Sequence, residues 1–108
     1  MKKNEAIRYA ESIRDDINRL YNGEPVDGCE DLTDYVFEAL EVEYALNTRR
    51  ELVGVKVFVT LGGPTCWVDT RTGAVECRWG LSHGCAVLGE GVADAILEIF
   101  REGFIFSE

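Results

Sequence analysis

A chain of 108 residues, 46% hydrophobic and 29% charged, makes one domain (1–108) with a thin core. Its net charge of −9 opposes binding to nucleic acid or anionic membranes and favours a basic partner. No apolar run reaches the length of a membrane span. The opening MKKNEAIRYAESIRDD turns polar and acidic where a secretory leader needs an apolar stretch, so the expected location is the cytoplasm.

The first predicted element is a helix over 4–21, with Ile7, Ala10, Ile13, Ile17 and Leu20 at helical spacing and Asn4 as its N-cap. NGEPVDG (22–28) ends it, and a second helix is expected at about 30–40, with Leu32, Tyr35, Val36, Ala39 and Leu40 inward. The period then changes to two. Val42, Tyr44 and Leu46 share one side of a first strand. NTRRE joins it to a second strand, with Val53, Val55, Val57 and Val59 on one side and Lys56 and Phe58 on the other. GGP (62–64) turns the chain into TCWVDT, and TRTG turns it again into AVECRW, with Gly73 in the left-handed conformation. GLSHGC reads as a loop. A last helix runs from 89 to 102 with Val92, Ala93, Ile96, Ile99 and Phe100 inward, and GFIFSE reads as an apolar tail packing on the sheet. The expected class is therefore α+β: two N-terminal helices, a four-stranded antiparallel β-meander, and a C-terminal helix packed on the sheet.

Three of four cysteines and the only histidine lie between 66 and 85. With a turn at Thr70–Gly73, Asp69 pairs with Ala74, and counting outward sets Cys66 opposite Cys77. His83 and Cys85 follow in a glycine-flanked segment that reads as free to fold back. Cys66, Cys77, His83 and Cys85 would form a complete tetrahedral set for a structural Zn2+, with no position left for a catalytic water. Cys29 is an alternative ligand in place of His83 or Cys85. Other readings stay open: buried inert thiols, a reactive thiol, or a disulfide, which a reducing compartment disfavours. A His83–Cys85 nucleophile pair lacks an orienting third group and an electropositive setting, so no enzyme is expected.

Two acidic rows complete the pattern. Asp31, Asp34, Glu38 and Glu41 would share one face of the second helix, and Glu90, Asp94, Glu98 and Glu102 one face of the last. Either row is a solvated face or a contact for a basic protein.

The segment VTLGGPTCWVDTRTGAVECRWG, with the acidic and apolar helix after it, resembles small proteins of phages and mobile elements across about residues 35–102. Gly62, Gly63 and Pro64 make the turn of that motif, and Trp67 and Asp69 lie on its strand. The chain departs from the pattern at Cys66, Cys77, His83 and Cys85. The resemblance extends to anti-CRISPR proteins directed at Cas9, zinc-containing ones included. It implies a non-enzymatic inhibitor that binds a Cas9-like nuclease and blocks nucleic-acid loading, and it assigns no inhibitory residue. The alternative expectation is an acidic DNA mimic that acts on restriction enzymes, or another adaptor for a basic partner.

Overall fold

The computed structural model describes residues 4–26 and 28–104. Of the predicted apolar tail GFIFSE, Gly103 and Phe104 belong to the last helix, and 105–108 lie outside the described residues. Helix α1 (Glu5–Tyr21) starts where the Asn4 side chain accepts a 2.8 Å hydrogen bond from the Ile7 N–H. Its buried stripe is Ala6, Ala10, Ile13, Ile17 and Leu20. The two alanines at its beginning let the helix backbone lie close to the sheet.

The second expected helix is a correction. Helix α2 (Leu32–Phe37) has six residues, capped by Asp31, whose side chain accepts from the Asp34 N–H at 2.9 Å. Only Leu32 and Val36 of its apolar set are buried; Leu40 is 62% exposed. Tertiary pairing stops it: the Leu40 N–H already bonds to the Phe58 carbonyl at 2.9 Å, which commits the chain to the sheet.

The sheet has five strands, not four: β1 (Glu41–Leu46), β2 (Leu52–Thr60), β3 (Thr65–Asp69), β4 (Ala74–Trp79) and β5 (Ser82–Val87). They run antiparallel in the order β1-β2-β3-β4-β5. The extra strand is the segment expected to be a loop. Gly80 (φ 61°) and Leu81 form a two-residue turn between the paired residues Trp79 and Ser82. A bulge also shifts β2. Leu46 pairs with Leu52, so Leu52 is buried and Val53, expected inward, is exposed.

Helix α3 (Val92–Phe104) follows β5. All three helices lie on one face of the sheet: α1 over β4 and β5, α3 over β2, and α2 against both other helices. Ile17, Val55, Val57, Cys66, Val68, Val75, Cys77, Val92 and Ile96 are the fully buried centre between the layers. Phe100 meets Phe37 and Tyr44 edge-on at 5.8 and 6.2 Å, closing the α2–α3 end. No described helix is long and apolar enough to cross a membrane.

Candidate interaction surfaces

The register places the cysteines and the histidine. With Asp69 opposite Ala74 and the Gly73 N–H bonded to the Asp69 carbonyl at 2.9 Å, Cys66 falls opposite Cys77, with 4.1 Å between their Cα atoms. Both side chains point toward the helices, are inaccessible to solvent, and are joined by a disulfide. Gly84 stands beside Cys77 on that face. His83 and Cys85 flank Gly84 in β5, so strand alternation turns both to the opposite face. There His83 Nε2 lies 3.2 Å from Glu76 Oε1, and Cys85 sits opposite Glu76, exposed.

The expected zinc set is thus divided by the sheet, two sulfurs inside and an imidazole and a thiol outside. The residues do not fit a tetrahedral Zn2+ site. Among the described residues no three His, Cys, Asp or Glu side chains converge in a way that could hold an ion. The expectation required the 80–85 segment to fold back as a loop; pairing with β4 prevents it.

Cys29 does not complete the set either. It forms an isolated bridge with Val26 and lies among the carboxylates around α2. Partial burial, then Glu38, Asp34 and Asp31, push its thiol above the usual cysteine value. Tyr35 is pushed up to about 12 by burial and then by Asp16 and Cys29, so its phenol stays protonated. A raised thiol value means less thiolate at neutral pH and slower alkylation. Removing the carboxylates as Asp34→Asn/Glu38→Gln should therefore speed iodoacetamide labelling of Cys29. An unchanged rate would remove their part in the shift.

The face of the sheet opposite the helices carries a cluster of aromatic and basic side chains. Trp67 is its centre, with Phe58 at 5.8 Å, the Lys56 ammonium 5.8 Å from the indole centroid and the Arg78 guanidinium 6.0 Å from it. The cross-strand pairs Phe58–Trp67, Trp67–Glu76 and Thr65–Arg78 bring these groups together. Trp67 Nε1 is buried without a hydrogen-bond partner. Beside this cluster Arg71 crosses Gly54, and a depression of about 110 Å³ lies among Glu43, Lys56, Asp69 and Arg71. That is well below the ~300 Å³ at which small-molecule sites begin.

The acidic rows take different shapes. Asp31 caps α2, Asp34 accepts from the Glu30 N–H at 3.2 Å, and Glu38 ends the helix. Glu41 is in β1, opposite Phe58, so the four do not share one helix face. In the second row Asp94, Glu98 and Glu102 lie on α3, while Glu90 precedes it. Glu98 is 3.9 Å from Arg101, whose Nε donates to the Leu52 carbonyl at 3.1 Å. By contrast, α1 carries matching cations: Arg8 lies near Glu5, Arg14 near Asp15, and Arg19 near Glu24. Among the described residues Asp31, Asp34, Glu38, Glu90, Asp94 and Glu102 have no ion pair.

Comparison with known protein families, with curated proteins and with solved structures finds no match to this chain.

Proposed function

We propose that this protein is a non-catalytic binding protein whose α2–α3 side occupies a basic protein surface. One observation carries the reading. Carboxylates without ion pairs gather on and beside two helices that pack together, while Glu5 and Asp15 of α1 have Arg8 and Arg14 beside them. An unneutralised acidic side in a chain of charge −9 steers association with a positive partner. A Cas9-type nuclease is the partner the resemblance names, and its nucleic-acid channel is positively charged. Occupying that channel would block loading without any chemical step and without zinc.

The proposed setting is the cytoplasm. Disulfides are rare in a reducing compartment, and complete burial would shelter Cys66–Cys77 from attacking thiolates there.

The test is binding to purified Cas9 and, in parallel, to a restriction enzyme complex, at several salt concentrations. The triple variant Glu38→Lys/Asp94→Lys/Glu102→Lys should bind at least about tenfold more weakly, with a flatter salt dependence and unchanged melting. Equal affinity of the variant would move the contact off this side. Binding only to the restriction complex would select the DNA-mimic reading, and binding to neither would end the proposal.

A further inference from the structure

The strand order leaves two edges, β1 and β5. Exposed edges offer unpaired backbone groups to another chain, and proteins blunt them with charge, proline or bulges. The β1 edge is blunted. It carries Glu41 and Glu43, and its register shifts between Ala45 and Leu46. The β5 edge has none of these devices. Its residues, SHGCAV, include no Lys, Arg, Asp, Glu or Pro, and its register with β4 is unbroken from Ser82 to Val87.

Backbone parity shows which groups face outward. The 4.1 Å Cα separation of Cys66 and Cys77 marks a pair that does not exchange hydrogen bonds. The Cys77 N–H and C=O therefore turn to β5, where its opposite residue is Gly84. The two-residue turn at Gly80-Leu81 gives the same parity. It follows that His83, Cys85 and Val87 direct their backbone groups to the free edge. Consistently, the His83 carbonyl accepts a long 3.5 Å bond from Asn4 Nδ2, which lies outside the sheet. At this edge Val87 is 68% exposed and Leu81 wholly exposed.

We propose that the β5 edge pairs antiparallel with the β5 edge of a second copy of this chain, with Cys85 of both copies at the two-fold axis. Charge selects the occupant. In a chain of −9, copies repel wherever their acidic surfaces meet, and this is the sheet edge whose own strand brings no carboxylate. Two-fold pairing also fixes the register. Only outward residues can exchange bonds, so the two-fold passes through 83, 85 or 87, or through the inward residues 84 or 86 between them. Centring at 85 sets His83 against Val87 of the second copy on both sides, and so uses every outward residue. Every other centre sets at least one of them opposite a residue beyond the strand. The result is a continuous ten-stranded sheet in which Cys85 faces its own copy about 5.5 Å away between Cα atoms, within reach of a disulfide.

The test uses sedimentation equilibrium of the full chain at about 100 µM and a Cys29→Ala variant for cross-linking. Wild type should sediment at twice 12.1 kDa. Salt should strengthen the dimer by screening its self-repulsion, opposite in sign to the binding of a basic partner. Diamide, taking two electrons and two protons from the paired thiols, should convert Cys29→Ala into a covalent dimer. Cys85→Lys, which sets two ammonium groups opposite each other, should shift the dissociation constant by at least about tenfold while melting to a folded baseline; Cys85→Ser should keep the dimer mass. A wild-type monomer at every concentration, or a dimer that Cys85→Lys leaves intact, would overturn the pairing.

Discussion

Gly84→Val is expected to lower the melting temperature by roughly 10–20 °C, about 3 kcal/mol of overpacking in a domain of this size. The cause is a contact that the sheet side chains do not explain. Gly84 lies in β5 directly beneath the start of α1, and a β-carbon there would collide with the backbone of Ala6 and Ile7. A helix backbone cannot yield as a flexible side chain can, so α1 must lift from β4 and β5, opening the layer that holds Ala6, Ala10 and the disulfide. The control is Gly89→Ala, whose new carbon would meet Asn18 Oδ1 at 3.4 Å, an ordinary contact. It should change stability by no more than about 0.5 kcal/mol. Thermal melting followed by circular dichroism reads both. Equal melting of Gly84→Val and wild type would mean that the α1–β5 approach is not as close as described.

The second large effect concerns Cys66–Cys77. Cross-linking residues 11 apart restricts the unfolded chain by about 3 kcal/mol. Reduction with a phosphine under melting conditions should therefore lower the melting temperature by roughly 10 °C or more. A strong zinc chelator should leave it unchanged. Cys66→Ala/Cys77→Ala should melt low with or without reductant, and somewhat lower than reduced wild type because the two buried sulfurs are also gone. The reverse pattern, with sensitivity to chelator and indifference to reductant, would restore the metal reading and remove the disulfide.

Which features were legible in the sequence follows from how local their causes are. Helix α1 was legible because one cap and one apolar stripe act within a single segment. The opposition of Cys66 and Cys77 was legible because a four-residue turn fixes the pairing of both strands that leave it. Strand β5 was not. Its inward residues are Ser82, Gly84 and Ala86, small enough to admit α1 and therefore without the large apolar alternation that marks a strand. Missing β5 had a further consequence. A loop could have folded His83 and Cys85 onto the buried sulfurs, whereas a strand holds them on the other face. The end of α2 and the bulge beside Val53 were hidden for a related reason. Both are imposed by pairing with β2, which the propensity of each segment alone does not contain. The Trp67 cluster was visible only as separate residues, since Lys56, Phe58 and Arg78 come from strands on both sides of it.

The sheet separates Cys66 and Cys77 from His83 and Cys85, and peptide mapping of native, unreduced protein after brief alkylation tests that separation directly. Cleavage after Lys56, Arg71 and Arg78 puts Cys66, Cys77 and Cys85 on three different peptides. The first two should appear as one disulfide-linked species without label, and the Cys85 peptide should carry the label. Free Cys66 and Cys77, a protected Cys85 and one bound zinc per chain would contradict the account.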